Sequence, residues 1–137
     1  MIPKFRAWDV LSEKMIDEIL MISFVRKEII GKFSDGSTSV PLKFKDERNG
    51  EDVILMQSTG LKDKNGKEIF EGDVLEIEDE GEVLGNAKLT WDNEQAVFMI
   101  EAVSVDDIAP FHEILSDESY SYRVVGNVYE NPELLEN

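Results

Sequence analysis

The chain has 137 residues, 42% of them hydrophobic and 32% charged, with no cysteine and a formal net charge of −16. That length and apolar content suit one compact domain or two small ones and exclude wholesale disorder. Without cysteine there is neither a disulfide frame nor a thiolate metal site, so the fold must rest on apolar burial, and the composition suits a reducing cytoplasm.

The charge is unevenly placed. Met1 to Phe70 holds twelve Asp or Glu against twelve Lys or Arg, whereas Glu71 to Asn137 holds eighteen acids against two bases, Lys88 and Arg123. Together these make the 30 acids and 14 bases of the whole chain. The excess in the second half repels phosphate backbones and anionic membranes and attracts basic partners; a solvated acidic surface is the simpler reading.

In chain order, Met1-Ile2-Pro3-Lys4-Phe5-Arg6 leads into polar residues, and the longest apolar tract, Ile19 to Val25, is interrupted by Ser23. It falls far short of the roughly 20 residues that span a bilayer, so no membrane association is expected. Met15 to Ile30 is rich in β-branched and aromatic residues and ends at Gly31, which favours strands. Met15, Ile16, Ile19, Leu20 and Phe24 also fit helical spacing, so a helix stays open as the alternative.

Asp35-Gly36, Asn49-Gly50, Asn65-Gly66 and Glu80-Gly81 mark turns about every 15 residues, the spacing of a meander of short strands. Between them, Val40, Leu42 and Phe44 alternate with Pro41, Lys43 and Lys45. Further on, Ala87, Leu89 and Trp91 oppose Asn86, Lys88 and Thr90, and Phe98, Ile100 and Ala102 oppose Val97, Met99 and Glu101. Pro110 is expected to open a short helix over Ala109 to Leu115. Tyr120 to Val125 reads as a strand that bulges at Gly126-Asn127. In Asn131-Pro132-Glu133-Leu134-Leu135, Asn131 is suited to N-cap one helical turn, with Pro132 at its first position.

No nucleophile is supported, because cysteine is absent and the single imidazole, His112, lies in a segment with no matching serine or lysine pattern. Asp63-Lys64-Asn65-Gly66-Lys67-Glu68 has the glycine in the wrong register for an EF-hand and places a lysine, Lys67, among the ligand positions. Glu76, Glu78, Asp79, Glu80 and Glu82 read as an exposed hairpin end around Gly81. Neither a Walker pattern nor a dinucleotide glycine fingerprint occurs. Lys43, Lys45, Arg48, Lys62, Lys64 and Lys67 lie near Phe44, an arrangement seen in nucleic-acid binders, but neighbouring acids cancel them, so direct nucleic-acid binding is not expected. No catalytic, cofactor-binding or metal-ligating residue is expected.

Three segments carry a resemblance. Lys4-Phe5-Arg6-Ala7-Trp8-Asp9, the run Thr59-Gly60-Leu61-Lys62-Asp63-Lys64-Asn65-Gly66-Lys67-Glu68-Ile69-Phe70-Glu71-Gly72-Asp73-Val74-Leu75, and the C-terminal Val124-Val125-Gly126-Asn127-Val128-Tyr129-Glu130-Asn131-Pro132-Glu133-Leu134-Leu135 are similar to the YopX family of phage and prophage proteins. The resemblance implies a mainly β fold: a β-rich N-terminal part over 1-56 and a C-terminal SH3-like small barrel or roll over 57-137. It implies no activity, cofactor or catalytic residue. Gly60, Gly66, Gly72 and Gly126 are expected to set backbone geometry, and Trp8, Leu61, Phe70, Trp91 and Tyr129 to pack. The expected function is a non-enzymatic protein-interaction or assembly module in the bacterial cytoplasm, forming a homo-oligomer or binding a basic host or phage protein. The alternatives are an acidic nucleic-acid mimic that inhibits a basic host protein and, third, a metal-dependent enzyme.

Overall fold

The structure, a computed structural model, describes residues 4–44, 51–103 and 107–136. The Asn49-Gly50 turn signal and the basic residues Lys45 and Arg48 lie outside them. The chain is mostly β and divides into two compact units, 1–57 and 58–137.

In the first unit, β1 (Phe5–Asp9), β2 (Lys14–Ser23), β3 (Glu28–Phe33) and the two-residue β4 (Leu42–Lys43) are followed by the first part of β5 (Val53–Lys62), in the antiparallel order β4-β3-β2-β1-β5. Asp9 turns the chain after β1, its Oδ1 accepting the Leu11 and Ser12 amides at 3.1 and 3.2 Å. The core is Ala7, Ile16, Ile29 and Val53, with Ile19, Ile22, Leu42 and Phe44 packed against it.

Strand β2 explains why its sequence also fits a helix. Its pairing with β3 shifts register twice, between Ile16 and Glu18 and between Ile19 and Met21. Each bulge inserts one extra residue and resets the two-residue alternation. The core-facing set becomes Ile16, Ile19 and Ile22, spaced by three, which imitates helical periodicity on an extended strand. Gly31 does not close the run; it lies inside β3, opposite Ile19, where an added Cβ would collide with Cγ2 of the buried Ile16. Gly31→Ala is therefore expected to cost roughly 2 kcal/mol through overpacking, read from the shift in urea midpoint. An unchanged midpoint would contradict this packing.

The second unit continues β5 and adds β6 (Glu68–Phe70), β7 (Asp73–Asp79), β8 (Glu82–Asp92), β9 (Val97–Ala102), β10 (Ile108–Pro110), α1 (Phe111–Leu115) and β11 (Tyr120–Asn127). Its larger sheet has the antiparallel order β10-β9-β8-β7-β11. Glu80 and Gly81, at φ of 50° and 85°, close the β7–β8 hairpin opposite paired Asp79 and Glu82, as a primed two-residue turn requires. The core holds Ile69, Leu75, Ile77, Ala87, Leu89, Ile100 and Phe111.

Several expected packing positions differ. Leu61 is 38% exposed near the end of β5, and Val40 is 70% exposed because it precedes β4, which covers only Leu42 and Lys43. Trp91 is half-buried, held edge-on to Phe98 at 4.9 Å. Pro110 stands at the N-cap of α1 rather than inside it. Pro132–Leu135 forms a 3₁₀ turn whose preceding Asn131 makes no side-chain cap.

Candidate functional site

Within the second unit the Thr59–Leu75 run and the Val124–Leu135 segment meet in one hydrogen-bonded joint. Asp63 is its centre. The carboxylate is 7% exposed; Oδ1 accepts the Asn65 and Lys67 amides at 2.9 and 2.8 Å, and Oδ2 accepts the Val124 amide at 2.8 Å. The Asp63–Gly66 turn is closed by Gly66 N–H donating to the Asp63 carbonyl at 3.0 Å, with Gly66 at φ +83°. Lys64 N–H donates to the Tyr122 carbonyl at 3.1 Å. Burial alone would raise the Asp63 carboxyl, but the amides of Val124, Lys67 and Asn65 outweigh it and hold the acid below the usual aspartate range.

Asp73 repeats the device, its Oδ2 accepting the Phe70 amide at 2.8 Å around Gly72. Gly72 N–H donates to the Leu89 carbonyl and its own carbonyl accepts from Val128 N–H, each at 2.8 Å. At the far end, Asn127 Oδ1 accepts the Tyr129 and Glu130 amides at 3.0 and 2.8 Å. Asn131 reaches back instead of capping its helix: its Oδ1 accepts the Asn127 amide at 3.2 Å. The β7–β11 register shifts between Val124 and Gly126, the expected bulge. A Cβ on Gly126 would strike the Asn131 side chain and come within 2.7 Å of Leu134 Cδ1. These side chains hold backbone amides in place.

Among the described residues, the others weighed for chemistry meet as ion pairs where they meet at all. His112 is exposed on α1, and its backbone carbonyl accepts the Ser116 amide that ends the helix. Glu76 is paired to Arg123 at 2.9 Å and Glu78 to Lys64 at 3.2 Å. That hydrogen-bonded pairing with Glu76 stabilises the Arg123 guanidinium. Lys43 pairs with Glu28 at 3.6 Å and Lys88 with Glu101 at 3.5 Å. Among the described residues, no group of three or more Asp, Glu or His side chains is placed to hold a metal ion, and no helix is long and apolar enough to cross a membrane.

The family model described as YopX protein matches residues 4–136. The chain belongs to the YopX family. It is similar to protein EF1440 from Enterococcus faecalis, whose crystal structure is 33% identical with a TM-score of 0.63 and 99% coverage of both chains. It is also similar to yopX from Bacillus subtilis, at 25% identity and a TM-score of 0.61, over 96% of this chain and 97% of that one. No curated protein matches. In this YopX-family chain, the joint of Asp63, Asp73, Gly126 and Asn127 ties the Thr59–Leu75 and Val124–Leu135 segments together.

What sequence reasoning missed is apolar and exposed. The β2–β3 hairpin carries Leu20 at 49% exposure, Met21 at 61%, Phe24 at 63% and Val25 at 96%. Phe24 is bracketed edge-on by Phe5 at 6.4 Å and Phe44 at 6.1 Å, so the exposed ring is held in place. One groove of about 300 Å³ is lined by Met21, Ile29, Ile30 and Pro41 beside Ser23, Arg26 and Glu28, and another of about 770 Å³ by Phe5, Ile19, Ile22 and Phe24 beside Lys4, Asp17 and Glu18. The signal was present in Ile19–Val25, an apolar run with more large side chains than one strand face can bury.

Proposed function

We propose that this YopX-family chain is a non-enzymatic interaction and assembly module that associates with copies of itself through the β2–β3 hairpin. The observation that carries this reading is the exposed apolar set Met21, Phe24 and Val25, fixed on a bulged hairpin and flanked by grooves. Apolar residues gathered on one element favour a protein contact, whereas scattered ones do not. Charge favours a second copy at this place. The half of the chain that carries the hairpin has balanced acids and bases, so two copies meet there without the repulsion that the acidic half imposes.

We further read residues 57-137 as an SH3-like roll, supported by the succession of meander, short helix and returning strand, with residues 1-56 as a β-rich N-terminal part. The whole is assigned to phage or prophage and to the host cytoplasm, in keeping with the family resemblance. The alternative, an acidic mimic of nucleic acid, rests on net charge; the ion pairs of Glu76 with Arg123 and Glu78 with Lys64 weaken it.

Sedimentation of the full chain at two protein and two salt concentrations tests the proposal. The expected result is a concentration-dependent oligomer that persists at the higher salt, as an apolar contact between charge-balanced halves does. Val25→Asp, at an almost fully exposed site, is expected to weaken association by about tenfold or more, as a charge placed in an apolar contact does. A strict monomer under all conditions, or a Val25→Asp protein that associates like the wild type, would overturn it.

A further inference from the structure

The second unit carries a separate apolar opening, whose use does not depend on self-association through the hairpin. A groove of about 350 Å³ reaches the unit's core, with Ile77, Ala87 and Ile100 at its floor and Leu84, Ile114 and Tyr120 around it. Its volume lies near the lower end of the roughly 300–1,000 Å³ of ligand pockets, room for one or two large side chains.

The lip has two unusual features. Ile77 pairs with Gly85 and Glu78 with Val83, so Leu84 is left out of the ladder as a bulge residue. Bulges re-aim side chains, and Leu84 stands 55% exposed at the groove. Ile108 and Leu115, beside the lining residues Ala109 and Ile114, are 57% and 36% exposed and extend the apolar rim.

The electrostatic setting selects the occupant. Among the described residues, the lining holds the Asp107 carboxylate and no Lys or Arg. From Glu71 onward the chain has eighteen acids and two bases, and both bases are engaged, Lys88 with Glu101 and Arg123 with Glu76. A second copy of this acidic half is repelled, as is a nucleic acid; a cationic protein segment is attracted. We propose that the groove binds a segment of another protein in which a large apolar side chain is flanked by Lys or Arg.

The test uses the full-length protein, labelled with nitrogen-15, and three synthetic peptides: Lys-Lys-Leu-Trp-Lys-Lys, Glu-Glu-Leu-Trp-Glu-Glu and Lys-Lys-Ser-Ser-Lys-Lys. The first alone is expected to give saturable amide shifts centred on Leu84, Ala87, Ile100 and Ile114, weakening as salt is raised. Asp107→Lys, at an exposed position, is expected to leave the remaining spectrum in place and to reduce the affinity by roughly tenfold. The proposal is overturned if the acidic peptide binds equally or if the serine peptide shifts the same amides, which would mean charge alone. It is also overturned by shifts located elsewhere, by no binding of the first peptide, or by an Asp107→Lys protein that binds it unchanged. None of these outcomes bears on the sedimentation result, so the two readings fail separately.

Discussion

Replacing Asp63 with alanine is expected to destabilise the second unit by roughly 3 kcal/mol, a large effect for one residue outside the hydrophobic core. The carboxylate accepts three backbone amides. In the alanine variant the Asn65 and Lys67 amides, in an exposed turn, recover water as a partner, while the half-buried Val124 amide loses a charge-assisted bond within the fold. Asp63→Asn is expected to recover only part of the loss, because its Oδ1 still serves the turn but its amide nitrogen presents a donor to the Val124 donor.

The pH dependence supplies an independent reading. The folded-state pKa of Asp63 is depressed, so its contribution is complete above the unfolded value of about 3.9 and is lost as pH falls through the folded value. Wild-type stability should therefore fall below about pH 4 more steeply than that of Asp63→Asn. Trp8 lies in the first unit and Trp91 in the second, so urea titrations in Trp8→Phe and Trp91→Phe backgrounds assign the loss to a unit. Equal acid slopes for wild type and variant would contradict the joint.

Phe111→Ala is expected to cost on the order of 3–5 kcal/mol. Phe111 is 2% exposed, stands edge-on to Tyr122 at 5.4 Å, and is the buried residue of the five-residue α1. A helix that short has no stability of its own, so it persists only while Phe111 anchors it. Hydrogen exchange should report this directly. The Ser116 amide, bonded to the His112 carbonyl, should lose protection in the variant before amides of β7 and β8 do. A cost below about 1 kcal/mol would mean that the ring is not the anchor.

Much of the second unit was legible because its signals are local. Gly66 and Gly81 mark turns by their tolerance of positive φ, at 83° and 85°, and β8 alternates cleanly between buried Ala87 and Leu89 and their outward neighbours. The first unit was harder, because the bulges of β2 change the residue spacing that distinguishes strand from helix. Leu61 and Asn131 were misjudged for another reason. Residue type announces what a side chain is able to do, but Leu61 is exposed, and Asn131 spends its oxygen on the Asn127 amide rather than on a cap. The Asp63 joint could not be read from spacing, since one of its acceptors serves an amide that lies 61 residues along the chain.

That separation has a kinetic side. A turn that looks self-sufficient, Asp63 to Lys67, is fastened to the last strand of its unit, and β7 takes β11 as its neighbour as well as β8. Closing so long a loop carries an entropic cost before any bond rewards it, which slows folding. On the ribosome the unit therefore cannot complete itself progressively. Its early hairpins emerge first and must wait, half-fastened, until Val124 has left the exit tunnel.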